Sequence, residues 1–92
     1  MTEEGLERKI CEAIRRRGGR AFKFVSPGVP GVPDRICVLP GGRVLFIEVK
    51  RPGRHDGLSP QQRKIISWLK SAGCDAWVIN DFETFRRLLD EI

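Results

Sequence analysis

The chain has 92 residues, 40% of them hydrophobic, with two tryptophans and five phenylalanines; that suffices for one ordinary core and excludes a disordered chain. Seventeen Lys and Arg against twelve Asp and Glu leave a formal charge of +5, a balance that favours polyanions and nucleic acid foremost, although many small basic domains carry such charge for solubility alone. Cys11, Cys37 and Cys74 are odd in number, far apart and set in apolar patterns, which excludes a disulfide framework or a CxxC zinc spacing, and no apolar run approaches the ~18 residues of a membrane span.

The N-terminal MTEEGLERK is charged where a secretory core would be apolar, so an intracellular, cytoplasmic and DNA-associated location is the expectation. Thr2 can cap a first helix with Glu3 and Glu4 in its first turn. Leu6, Ile10, Ala13 and Ile14 form its apolar stripe, and Gly18 and Gly19 end it. From Arg20 to Val25 the pattern alternates, with Phe22 and Phe24 on one face of a short half-buried strand. Ser26 to Asp34, SPGVPGVPD, holds three prolines and two glycines and must be an exposed loop delivering Asp34 to a strand start.

Arg35 to Leu39 and Val44 to Val49 are apolar runs joined by Pro40, Gly41, Gly42 and Arg43, the signal of an antiparallel hairpin. After the polar loop RPGRHDGL, Ser59 at the N-cap, Pro60 at N1 and Gln62 at N3 form a capping box. The helix runs to about Ala72, with Ile65, Trp68, Leu69 and Ala72 as its buried stripe and Gly73 as its stop. Ala76 to Ile79 is a further strand. A last helix starts at Asn80 or Asp81 and turns Phe85, Leu88, Leu89 and Ile92 to the core. The order is αβββαβα, with no repeat or linker, so residues 1–92 read as a single α/β domain.

The chemistry gathers at one strand end. Residues two apart in a strand share a face, so Glu48 and Lys50 project together while Ile47 and Val49 point away. Two opposite charges closing a VLFI run need something to offset their desolvation, and the hairpin folds Asp34 back beside Glu48. Two close carboxylates repel unless a cation intervenes, and hard oxygen ligands suit Mg²⁺ or Mn²⁺. Such a metal with a nearby lysine suits phosphodiester hydrolysis. An isolated ExK at an exposed strand end would be no more than a surface ion pair.

GVPDRICVL, VLFIEVKRP and LSPQQRKI together resemble the VRR-NUC family of virus-type replication and repair nucleases, a branch of the PD-(D/E)XK superfamily, over residues 7–80. The resemblance implies a restriction-endonuclease-like core: αβββαβ with a C-terminal helix, and a mixed central sheet flanked by helices. It implies Asp34 and Glu48 as metal ligands, the Val49 carbonyl as a further ligand and Lys50 as the catalytic lysine. It also points to Glu7 and Gln61 as additional catalytic positions. Glu7 holds a second metal or a water, or else flanks a solvated helix face; Gln61 serves the centre or is an ordinary polar residue of a helical first turn.

Other candidates carry both a functional and a plain reading. Arg35, Arg51 and Arg54 lie close enough to the centre in the chain to touch phosphates flanking a cut. Arg15 and Arg16, with Arg17 and Arg20, either contact a DNA backbone or simply complement a helix C-terminus. His55, the one histidine, reads as a solvated loop residue rather than a general base, and Trp68 and Trp77 as core rather than stacking platforms. Stand-alone members of the family resemble archaeal Holliday-junction resolvases. That implies a homodimeric, Mg²⁺- or Mn²⁺-dependent, structure-specific endonuclease on branched DNA, of the kind used in DNA repair. A nicking or flap-type nuclease, an inactive DNA-binding module of the same fold, and a protein-interaction domain are the alternatives.

Overall fold

The computed structural model describes residues 1–53 and 57–92. Seven elements follow in order: α1 (Glu3–Arg16), β1 (Arg20–Lys23), β2 (Arg35–Leu39), β3 (Arg43–Val49), α2 (Pro60–Ser71), β4 (Asp75–Ile79) and α3 (Phe82–Asp90). The expected order is met, with a four-stranded sheet β1-β2-β3-β4 that is antiparallel except for the parallel pair β3 and β4. Parallel neighbours need a crossover, and α2 is that crossover.

The turns are written in the residues. Pro40 and Gly41 (φ 88°) sit at the centre of the β2–β3 turn, where the Gly42 N–H donates to the Leu39 carbonyl at 3.2 Å. Proline followed by a residue in the left-handed region is the requirement of a type II turn. The register that follows sets Arg35 opposite Ile47 and Cys37 opposite Leu45. One further step along the ladder places Asp34 beside Glu48.

The two sheet faces differ. On one, α1 and α3 cover Cys37, Leu39, Leu45, Ile47, Val49 and Ile79, and Leu6, Ile10, Ile14, Phe85 and Leu89 close the main core. Each such large side chain contributes roughly 1.5–3 kcal/mol by leaving water. On the other face α2 packs on β4, where Ile66, Leu69 and Ala76 form a smaller cluster edged by Phe46, Leu58, Ile65 and Cys74.

Three expectations are corrected here. Helix α2 buries Ile66 and Leu69, leaves Trp68 64% exposed and turns Ala72 to solvent. The helix is rotated from the expected stripe because it lies over β4 and the adjoining Phe46 of β3 and leaves β1 and β2 uncovered. Strand β1 is regular only as far as Lys23, one further bond running from the Phe24 N–H to the Asp34 carbonyl at 2.9 Å, and Phe22 is 48% exposed because no helix lies above β1 on that face. Ile92 lies beyond the last turn of α3 and is exposed, so Phe85 and Leu89 alone are its buried residues. Trp77, by contrast, packs as expected, edge-on to Phe85 with ring centres 6.0 Å apart.

Candidate active site

Asp34, Glu48 and Lys50 converge on the α2 side of the sheet, at the C-terminal end of β3. Glu48 is 2% exposed and is the one buried charged residue among those described. Its Oε2 lies 3.1 Å from the Lys50 ammonium and accepts a hydrogen bond from Gln62 Nε2 at 3.1 Å. Its Oε1 is buried with no hydrogen-bond partner. A buried carboxylate oxygen left unpaired costs on the order of 1–3 kcal/mol or more, so an arrangement that retains one calls for a reason.

Asp34 is held by its neighbour strand: the Val49 N–H donates to Asp34 Oδ2 at 2.8 Å. The loop that carries Asp34 is in turn clamped to α2. Gly31 has φ 94°, and a Cβ there would lie 2.5 Å from the Gln61 carbonyl carbon, so only glycine lets the loop approach the helix start. Burial, and then the Asp34 charge, raise the Glu48 pKa above the ordinary carboxylate value, with Lys50 offsetting part of the rise. A cation between the two carboxylates would remove their repulsion.

Gln62 links the parts, and the sequence reading passed it over. It occupies N3 of the α2 capping box: Ser59 Oγ accepts from the Gln62 N–H at 3.1 Å and Gln62 Oε1 accepts from the Ser59 N–H at 2.9 Å. The same Oε1 accepts from Lys50 Nζ at 3.0 Å while its Nε2 holds Glu48. One amide thus fixes both charged groups. The signal was present in the capping box itself, since an N3 side chain that reaches back over a helix start also reaches toward the strand before it.

Of the other candidates, Gln61 presents its side chain to solvent and contributes its backbone to the Gly31 contact. Glu7 and Arg35 are brought together with each other, Arg35 Nε donating to Glu7 Oε2 at 2.6 Å on the α1 side of the sheet. Arg51 is exposed directly after Lys50, and Arg15 and Arg16 are exposed at the end of α1. Arg54 and His55 lie outside the described residues. Among those described, no three His, Cys, Asp or Glu side chains gather in one place. Two carboxylates with room for water and phosphate oxygens are what Mg²⁺ uses, whereas a closed structural zinc site would need four protein ligands.

A mixed four-stranded sheet with an acid, an acid and a lysine at one strand end defines a nuclease-type α/β domain, and comparison with known proteins agrees. Residues 2–81 match the VRR-NUC domain family. A solved structure described as a VRR_NUC domain superposes with a TM-score of 0.88 at 26% identity, over 98% of this chain and 97% of that one. Over 53 residues the chain is 49% identical to "Putative nuclease p44" of Acyrthosiphon pisum secondary endosymbiont phage 1, a match covering 58% of this chain and 57% of that protein. The chain belongs to the VRR-NUC domain family.

Proposed function

We propose that this domain is a metal-dependent endodeoxyribonuclease that hydrolyses phosphodiester bonds in branched DNA inside the cell. The observation that carries the reading is the buried, unpaired Oε1 of Glu48, beside Asp34 and within one hydrogen-bonded network with Lys50 and Gln62. Asp34, Glu48 and the Val49 carbonyl would hold Mg²⁺ or Mn²⁺. Such an ion lowers the pKa of a bound water and neutralises charge on a scissile phosphate.

The chain's own residues supply the rest. Lys50, whose ammonium is fixed by Glu48 and Gln62 at 3.1 and 3.0 Å, presents a cation at a set position, suited to orienting the attacking water and meeting charge that develops on the phosphate. Gln62 keeps its side chain and that of Glu48 in one arrangement, and the Val49 N–H keeps Asp34 turned toward it. Pre-set donors and acceptors do not have to reorganise as the reaction proceeds.

Junction resolution requires two centres, one per strand, and a homodimer would supply them. Support for a dimer comes from the uncovered part of the sheet, where Phe22, Val38 and Val44 are exposed on the α2 side of β1, β2 and β3. Light scattering should give twice the chain mass, reduced to one by Phe22→Ser combined with Val44→Asp.

The test of activity incubates the protein with a labelled four-way junction and a matched linear duplex, with Mg²⁺, with EDTA, and with Lys50→Ala. Paired cuts near the branch, dependent on metal and on Lys50, are the expected result. Single cuts at flaps or nicks would select the nicking reading. Retarded but intact DNA in every lane would leave a binding module.

A further inference from the structure

Between β1 and Asp34 the chain reads SPGVPGVP, a stretch from Ser26 to Pro33 without a charge in a protein that is 32% charged. The fold uses only its second half, where Pro33 is buried and Gly31 sits against the Gln61 backbone. The first half stands out into solvent. Val25 is 71% and Val29 46% exposed, Pro27, Gly28 and Pro30 are exposed beside them, and neither valine joins a hydrophobic cluster. Single exposed apolar side chains are ordinary, whereas several on one short segment make a contact surface.

The segment is also stiff and well rooted. Its prolines fix φ, and Pro27 takes the second position of a turn that the Val29 N–H closes on the Ser26 carbonyl at 3.2 Å. At its base the Phe24 N–H donates to the Asp34 carbonyl at 2.9 Å. Its other end meets the first turn of α2 through Gly31, on the sheet face that carries the carboxylates, and the next residue of that turn, Gln62, binds Lys50 and Glu48. Val29 is two residues from Gly31, at most about 7 Å of chain. Base pairs stack about 3.4 Å apart, so a step a few positions from a phosphate seated at the carboxylates is within reach of the tip.

We propose that this tip, Val29 and Pro30 foremost, is an apolar wedge that enters the open base step of branched DNA next to the phosphate presented to Asp34 and Glu48. It rests on the nuclease reading for the position of that phosphate. An apolar side chain gains nothing against a phosphate but gains by leaving water between bases, and proline is among the residues that do this. In a continuous duplex the wedge must first unstack a step; a branch already offers one, so the branch is favoured. Pro27 and Pro30 have no N–H, and the Val29 N–H is already engaged by Ser26, so the tip distinguishes shape and not base identity.

The test places 2-aminopurine, whose fluorescence rises on unstacking, at the branch of a four-way junction and at the same position of a matched duplex, in EDTA. Wild type and Val29→Leu should brighten the junction probe, and Val29→Ser combined with Pro30→Ser should not. By anisotropy, the double variant should lose about 10–100-fold of its preference for junction over duplex, as one unstacked step implies, with duplex affinity unchanged. Trp68→Ser, which removes exposed apolar surface on α2 instead, should keep both properties. A loop that served only to hold Asp34 in place would leave both as in the wild type.

Circular dichroism confirms that each variant is folded. Brightening that persists in the double variant, a preference that does not fall, an equal fall in the Trp68 variant, or no brightening by the wild type would overturn the inference. A double variant that turns from dimer to monomer with its preference unchanged would do the same, assigning the tip to a second copy. Metal-dependent cleavage without tip-dependent brightening removes the wedge alone; tip-dependent brightening without any cleavage in Mg²⁺ removes the nuclease reading alone.

Discussion

The two faces of the sheet carry the same kinds of residue to different ends. On the α1 and α3 side Cys37 and Leu39 of β2 and Leu45, Ile47 and Val49 of β3 are apolar and buried. Cys37, sealed within that face, has its thiol pushed up to about 12 by burial and is inert. On the α2 side the helix covers β4 and reaches β3 only at Phe46 and Glu48, and the same strands present Val38, Val44, Phe46 and Glu48, with Lys50 just beyond β3. One face stores stability, and the other gives part of it up to hold charge where a substrate can reach it.

If that division holds, truncations on the two faces should separate sharply. Phe85→Ala on the packed side should cost about 3–5 kcal/mol, whereas Trp68→Ala on the open side should stay within about 0.5 kcal/mol. Urea unfolding of both measures this. A Trp68 variant as destabilised as the Phe85 variant would mean the open face is part of the core.

The next effects belong to the open face alone and appear in rate. Lys50→Ala should reduce metal-dependent cleavage by about 10²–10³-fold with little change in Tm, as expected for a group that meets developing charge. Gln62→Ala should cost about 10–100-fold, the usual effect of removing a residue that orients a ligand. Gln61→Ala should leave cleavage within about twofold, a change of under 0.5 kcal/mol. Single-turnover rates with the three variants side by side sharpen the assignment of the amide at the site to Gln62.

A pH series divides the faces again. A metal ion held by Glu48 would have to displace the proton on that carboxyl, whose pKa burial and Asp34 raise above the ordinary carboxylate value. Mn²⁺ affinity should therefore weaken by about tenfold per pH unit once the pH falls below that raised pKa, beginning above the range of an exposed glutamate. In Glu48→Gln binding should be weak and nearly flat with pH. Cys37, sealed in the other face, should contribute no change over the same range.

Much of this was legible in the residues. Prolines and glycines marked the 26–34 loop and the β2–β3 turn, capping residues marked all three helices, and the ExK spacing fixed which side chains share a face. Less legible was anything that depends on how far a helix extends over a sheet. Periodicity gave α2 an apolar stripe through Trp68, yet Ile66 and Leu69 are buried and Trp68 is not, because periodicity cannot say which strands a helix covers. The Gln61 and Gln62 choice was of the same kind: adjacent polar residues in one turn differ by about 100° in direction, and only the packed helix shows which amide meets Lys50. Glu7 and Arg35 were each read toward the centre, and their ion pair to each other was invisible to sequence spacing.

The most direct measurement is the paramagnetic signal of free Mn²⁺ titrated against the folded wild type and against Asp34→Asn and Glu48→Gln. Saturable binding in the wild type, lost in both variants with their far-UV spectra unchanged, is the predicted result. Equal Mn²⁺ binding in all three proteins, or none in the wild type, would contradict a metal centre built on Asp34 and Glu48.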